Sequence, residues 1–121
     1  MTNQKWDSLA NITSVMVENM ADYTKTGTKN WDASIALVDL AYQAGGLLKL
    51  KMQLDNERHK QGKTKEQLLN DVQLELAEVV SLALFIAHEL KLDIKQGFED
   101  MLCVDENRIA ERAALLPPHK V

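Results

Sequence analysis

The sequence predicts an all-α fold: an antiparallel four-helix bundle that is completed by dimerisation. Only five glycines and two prolines occur in 121 residues, and a chain so poor in helix breakers favours long helices over many short strands. Apolar residues recur at three- and four-residue steps along most of the chain, the spacing of amphipathic helices. The polar connections between the four segments are short, which places consecutive helices antiparallel. We expect one domain, residues 1–121, with a short tail at 116–121.

The first helix is predicted from about Gln4 to Tyr23. Its apolar stripe is formed by Trp6, Leu9, Ile12 (or Val15), Met16, Met20 and Tyr23. A polar loop follows at residues 24–30, built around Gly27. This pattern indicates a helix that buries one side only.

The second helix is predicted from about Asp32 to Glu57, with Gly45 and Gly46 in its middle. A glycine inside a helix costs roughly 1 kcal/mol relative to alanine. We therefore expect another helix or a ligand to approach this point closely.

The third helix is predicted from Thr64, which forms a Thr-x-x-Gln capping box with Gln67, to about Leu90. Its residues 79–87 carry no charge, and the helix is apolar nearly all round from Leu76 to Ala87. A helix that is apolar on every side needs neighbours on every side. We expect it to lie at the centre of a homodimer; the alternative is that it lies deepest in a monomer.

The fourth helix is predicted to begin at Asp93, where Asp93 and Gln96 repeat the capping-box pattern, and to end before Pro117-Pro118. The apolar side of this helix is formed by Phe98, Met101, Leu102, Ile109 and Ala113.

Charge and composition exclude some classes of function. A net charge of −4 and a pI near 5.3 argue against a protein that coats nucleic acid. Cys103 is the only cysteine, so no intrachain disulfide forms, which suits a reducing compartment. The longest apolar run is about half of the roughly 20 residues that a membrane span needs, and the N-terminus does not have the order of a signal peptide. We expect a cytoplasmic protein.

Three acids form one stripe on the third helix: Asp71, Glu75 and Glu78, at i, i+4 and i+7. Magnesium binds through one or two carboxylates together with water and substrate phosphates, so the stripe is a candidate metal site. The alternative for Asp71 is a solvated acid near the helix start, where the helix dipole stabilises a negative charge. Glu75 and Glu78 begin the most apolar stretch of the chain, where carboxylates are uncommon without a partner.

Other side chains are candidates for contact with a ligand. Lys60 and Lys63 flank Gly62 in a turn and are suited to a phosphate, although exposed turn lysines are common. Trp31 and Trp6 are suited to stacking on a base, although packing at a helix start or in the core explains them equally.

Two segments resemble the MazG-like all-α nucleoside triphosphate pyrophosphohydrolases. They are residues 40–47, Leu-Ala-Tyr-Gln-Ala-Gly-Gly-Leu, and residues 75–80, Glu-Leu-Ala-Glu-Val-Val. Residues 87–94, Ala-His-Glu-Leu-Lys-Leu-Asp-Ile, are similar to the family's turn into its last helix. The resemblance covers Trp31 to Arg108, about two thirds of the chain.

The resemblance implies cleavage of a nucleotide between its α- and β-phosphates, giving the monophosphate and pyrophosphate. It implies Mg²⁺, or Mn²⁺, held by about four acids that polarise the phosphates and position water. On this chain the implied catalytic and metal-binding residues are Glu75 and Glu78, with Asp71 as a further metal ligand. The candidate nucleotide contacts are Gln43, Lys60, Arg108 and Trp31. The family also implies a homodimer or tetramer.

This chain departs from the family's first motif. Tyr42 and Gln43 stand where two glutamates belong, and Gly46 stands where the third does. Shifting the alignment to use Asp39 restores one acid but breaks the match at Gly45. Two acids instead of four or five leave a metal short of the carboxylate charge that supplies much of its affinity.

Three hypotheses follow from these departures. The first is a nucleotide pyrophosphohydrolase whose activity is weak or lost. The second is a non-catalytic MazG-like homodimer that serves as a nucleotide-binding or protein-interaction module and needs no metal. The third is a helical interaction module that binds no ligand.

Overall fold

A computed structural model describes residues 8–117 and contains four helices and no strand within them. The helices are α1 Leu9–Lys25, α2 Ala33–Leu54, α3 Lys65–Glu89 and α4 Ile94–Leu115. The all-α prediction is confirmed. The chain divides into two compact units, one that ends at Lys91 and contains α1 to α3, and one that begins at Leu92 and contains α4.

All four helices begin at a polar cap. The side chains of Ser8, Asp32, Thr64 and Asp93 each accept a hydrogen bond from the backbone N–H three residues on. At α3 the capping box is complete, because the Thr64 N–H also donates to Gln67 Oε1 at 2.9 Å. At α4 it is not, since Gln96 Nε2 donates instead to Asp100 Oδ1 at 2.9 Å.

The helix ends differ from the prediction in detail. α2 ends at Leu54, before the predicted Glu57, because Asn56 takes a left-handed φ of 60° and the Glu57 N–H turns back to Met52 O at 2.8 Å. α4 ends before Pro117, as predicted, with Leu116 in an extended conformation. Residues 4–7 of the predicted first helix, and Pro118, lie outside the described residues.

The core of the first unit forms where α3 packs against α1 and α2. Ala36, Leu82, Phe85 and Ile86 are its buried members. The partly buried side chains packed around them are Met16, Val17, Met20, Trp31 and Leu40. Ala36, near the start of α2, packs with Leu82 and Phe85 near the end of α3, and Gly46, further along α2, lies beside Glu75 earlier in α3. These two helices therefore run antiparallel.

Between Leu76 and Ala87, the part of α3 that is predicted to be apolar on nearly every side, only Leu82 and residues 84–87 are buried. Leu76 and Val80 are each 49% exposed, and Leu74, just before this part, is 61% exposed. Within a single chain, α3 is therefore not covered on every side. Its place at the centre of a homodimer stays a prediction.

Exposed apolar side chains also lie on α2 and α4. On α2, Val38 and Tyr42 are one turn apart and are 73% and 76% exposed. α4 has no buried residue, and its predicted apolar side is open at Phe98, Met101, Leu102 and Ile109. Across residues 8–117, no helix is both long enough and apolar enough for a membrane crossing.

Candidate functional site

Helices α2 and α3 bring Gln43, Glu75 and Glu78 together. Glu75 and Glu78 are three residues apart, so they share one face of α3. The Gln43 amide nitrogen donates to Glu75 Oε1 at 2.6 Å and to Glu78 Oε2 at 3.2 Å. This amide orientation follows from the hydrogen-bond network, because in the opposite one the oxygen faces only acceptors. One side-chain amide thus holds both carboxylates.

Gly46 provides the space that Glu75 occupies. A Cβ atom at Gly46 would lie 2.9 Å from Glu75 Oε1, closer than real Cβ contacts. A Cβ atom at Gly45 would meet no atom of residues 8–117 within 4 Å apart from its chain neighbours and its own helix backbone. The predicted close approach at the glycine pair is therefore confirmed for Gly46 and stays a prediction for Gly45.

The carboxyl group of Glu75 holds a proton more readily than an ordinary glutamate. Its pKa is raised, first by loss of solvent around it and then by the charge of Glu78 and a hydrogen bond with it. The charge of Asp39 raises this pKa further. Protonation of Glu75 therefore relieves repulsion from Glu78 and Asp39, whereas the hydrogen bond from Gln43 favours the ionised form.

A cavity of about 660 Å³ lies beside this cluster. It is lined by α1, α2, α3 and the loop between α1 and α2, all within the first unit, and it opens to solvent. Its lining residues are Met16, Asn19, Met20, Tyr23, Thr28, Trp31, Asp39, Gln43, Leu74, Ala77, Glu78, Ser81 and Leu82. This lining combines an aromatic and apolar part with carboxylates, and within residues 8–117 it contains no lysine, arginine or histidine.

Asp71 pairs with a lysine and not with Glu75 or Glu78. Its Oδ2 atom is 2.6 Å from Lys63 Nζ, and both side chains are about two-fifths exposed. Such an exposed pair contributes little stability, about 0–1 kcal/mol. The structure thus gives this predicted metal ligand a lysine partner.

The predicted nucleotide contacts are found in different places. Trp31 and Gln43 both line the cavity. Lys60 lines a separate depression of about 500 Å³ in the connection between α2 and α3, together with Arg58 and His59. Arg108 is exposed on α4, in the second unit.

Asp39 lies at the site, although the sequence offered it only through a shifted alignment that breaks the match at Gly45. It lines the cavity and acts on the pKa of Glu75. It lies four residues before Gln43, so the two side chains share one face of α2. That spacing is the signal that could have identified it, and Met16 and Met20 of α1 could not have been placed here without the tertiary fold.

Gln43 and Gly46, which contact the glutamates from α2, carry no charge. Magnesium takes oxygen ligands; Gln43 offers one only with its amide turned so that the oxygen faces the glutamates, and Gly46 has no side chain. Within residues 8–117, no three His, Cys, Asp or Glu side chains form a metal-ligand group.

No family model matches the chain, and neither a curated protein nor a solved structure matches it. The resemblance to the MazG-like enzymes therefore stays a prediction that depends on residues 40–47, 75–80 and 87–94.

Proposed function

We propose that this chain is a non-catalytic MazG-like homodimer that binds a nucleotide-type ligand in the cavity beside Glu75 and Glu78. The observation that carries the proposal is the pair of hydrogen bonds from Gln43 to the two carboxylates. In the family that the sequence resembles, a glutamate stands at the position of Gln43. Here an amide takes that position and offers the carboxylates N–H donors.

The amide changes the electrostatics of the cluster. A glutamate at position 43 would add a third negative charge that calls for a cation, whereas a neutral amide satisfies acceptors without one. The raised pKa of Glu75 acts in the same direction, because this carboxyl group keeps its proton to a higher pH than an ordinary glutamate. Both effects lower the attraction for a divalent ion, and loss of the ion removes the group that polarises phosphates.

The exposed apolar surface supports the homodimer. Apolar side chains on α2, α3 and α4 remain open to solvent in the single chain, among them Val38, Tyr42, Val80 and Ile109. Large exposed apolar patches mark interaction surfaces. A second copy of the chain would cover such surfaces, and sedimentation velocity over a range of protein concentrations measures whether it does.

Pyrophosphate release and thermal stability together test this proposal. We expect no turnover of any nucleoside triphosphate with Mg²⁺ or Mn²⁺, and we expect a higher melting temperature with at least one nucleotide, since a ligand stabilises the folded state that binds it. Metal-dependent turnover that is lost in Glu75→Gln would contradict the proposal.

A second candidate is a pyrophosphohydrolase with a reduced metal site. Glu75 and Glu78 favour it, because both retain carboxyl groups and Glu78 lines a cavity of nucleotide size. This candidate predicts that Glu78→Gln abolishes pyrophosphate release while the melting temperature of the variant stays near that of the wild type.

A further inference from the structure

We propose that the cavity binds a planar ring bearing amidine-like N–H donors, and that it does so without a contact to phosphate. The proposal rests on the proposed function in one respect, that this cavity is the ligand site. It adds the chemical class of the ligand, for which neither the fold nor the resemblance provides evidence. The lining of the cavity provides that evidence.

Two carboxylates give one part of the lining negative charge; the neutral polar side chains of Asn19, Thr28 and Ser81 line other parts of it. Asp39 and Glu78 both line it, and an ionised carboxylate is an acceptor only. Within residues 8–117, the Asp39 carboxylate has neither a hydrogen-bond donor nor a cationic partner. The N–H donors of Gln43 are already engaged by Glu75 and Glu78. A ligand at this part of the cavity must therefore supply the donors.

A phosphate is poorly matched to the same surface. Among residues 8–117, no lysine, arginine or histidine lines the cavity, and Lys60 lies at a different depression. Phosphate oxygens near the half-buried Asp39 and the exposed Glu78 would meet like charge, which weakens binding. An uncharged or cationic ligand avoids this repulsion.

The apolar part of the lining suits a flat ring. Trp31, Met16 and Met20 line the cavity and also pack against the buried core, which holds them in place. Tryptophan faces attract rings and cations, and methionine sulfur makes favourable contacts with aromatic edges. The cavity volume of about 660 Å³ lies within the range of about 300–1,000 Å³ that small-molecule sites occupy.

Three probes of nearly equal shape separate charge from size. Benzamidine carries a cationic N–H fork that matches a carboxylate, benzamide is neutral, and benzoate is an anion. Titrations followed by ¹H–¹⁵N NMR should give the tightest binding for benzamidine, with shifts at the Trp31 indole, and no binding for benzoate. Equal binding of the three probes, binding that favours benzoate, or no binding by benzamidine would overturn the proposal.

Substitution of one acidic residue at a time identifies the carboxylate that binds benzamidine. Asp39→Asn should weaken benzamidine binding by about tenfold or more, since a charge-assisted hydrogen bond is lost. The matched control is Asp105→Asn, which removes the same charge from an exposed position on α4 and should leave binding unchanged. Melting curves of both variants establish that they fold. Equal affinity of Asp39→Asn and the wild type would overturn the assignment.

Nucleosides distinguish this proposal from the proposed function. Cytidine presents an amino group beside a ring nitrogen, as an amidine does, whereas uridine has a carbonyl there; cytidine should bind and uridine should not. Adding a triphosphate, with or without Mg²⁺, should not increase the affinity. If cytidine triphosphate with Mg²⁺ binds more than tenfold tighter than cytidine, the ligand is held through its phosphates, which contradicts the present proposal and supports nucleotide binding. If benzamidine binds and no nucleoside or nucleotide does, the result supports the present proposal and contradicts nucleotide binding.

Discussion

The amide nitrogen of Gln43 lies 2.6 Å from Glu75 Oε1, at the short end of the range for N–H···O hydrogen bonds. The same nitrogen reaches Glu78 Oε2 at 3.2 Å, so one neutral group on α2 joins two acids on α3. Gly46, one turn further along α2, leaves the space in which Glu75 lies. Gln43 and Gly46 stand where the family that the sequence resembles has glutamates. In this structure they share one role, which is to hold the two glutamates without a further acid.

Gln43→Glu should destabilise the chain and give it affinity for metal. The change removes the amide donor and places three carboxylates together, so we expect a loss of about 1–3 kcal/mol in the free energy of unfolding at neutral pH. Mn²⁺ should restore much of that loss, since a ligand bound to the folded state stabilises it. Urea denaturation with and without Mn²⁺ measures both effects.

Gln73→Glu is the matched control for this change. It adds the same charge at an exposed position of α3, where we expect little effect on stability and no response to Mn²⁺. If the two variants respond alike, Gln43 has no special role between the glutamates.

Gly45→Ala and Gly46→Ala should differ although they are neighbours. Alanine at either position gains about 1 kcal/mol of helix propensity. At Gly45 the new methyl group meets no described atom within 4 Å beyond its neighbours and its own helix, whereas at Gly46 it lies 2.9 Å from Glu75 Oε1, so the end of that side chain must shift relative to Gln43. Chemical denaturation should show Gly45→Ala as the more stable variant, and equal stabilities would contradict the close contact at Gly46.

Glu75→Gln should change how stability depends on pH. The pKa of Glu75 is raised above 4.5 in the folded chain, so the folded state holds this proton more tightly than the unfolded state does. Ionisation of Glu75 therefore costs stability as pH rises from about 4.5 through the folded pKa. Relative to the wild type, Glu75→Gln should be more stable at neutral pH, and this advantage should shrink as the pH falls toward 4.5.

Denaturation curves at a series of pH values measure this difference, with Glu99→Gln on the exposed surface of α4 as the control. A stability difference between Glu75→Gln and the wild type that does not change with pH would show that the two glutamates do not compete for a proton.

Gln53→Leu should destabilise the connection between α2 and α3. Gln53 is only 2% exposed, and its Nε2 atom donates to the His59 carbonyl oxygen at 3.0 Å. Removing this partly buried hydrogen bond should cost about 1–3 kcal/mol. By contrast, Lys51→Met breaks an exposed ion pair with Asp55 and should cost little stability, because water screens such a pair. Urea denaturation of the two variants tests this order, and a larger loss for Lys51→Met would reverse it.

The helix starts could be predicted from the sequence because they depend on local chemistry. A cap residue and the N–H three positions later are fixed relative to each other, so Asp32, Thr64 and Asp93 were identifiable. The sequence did not show that the capping box at α4 would be incomplete. The Gln96 side chain bonds to Asp100, one turn further along, instead of returning to the backbone of Asp93.

The site could be predicted only in part. Helical spacing places Glu75 and Glu78 on one face, but the contact with Gln43 depends on how α2 and α3 pack. The pair of Lys63 and Asp71 crosses the start of α3 at a separation of eight residues, which no helical repeat indicates. The cavity needs side chains from three helices, so its acidic and aromatic lining became visible only with the fold.

The side-chain amide signals of Gln43, followed by ¹H–¹⁵N NMR during a Mg²⁺ titration of the wild type, test the central claim most directly. If the amide holds Glu75 and Glu78 without a cation, these signals should not move with excess Mg²⁺, and Glu75→Gln alone should shift them strongly. A saturable, selective shift of the Gln43 amide and of the Glu75 and Glu78 carboxyl carbons on adding Mg²⁺ would contradict the account, because it would place a metal ion at the two glutamates.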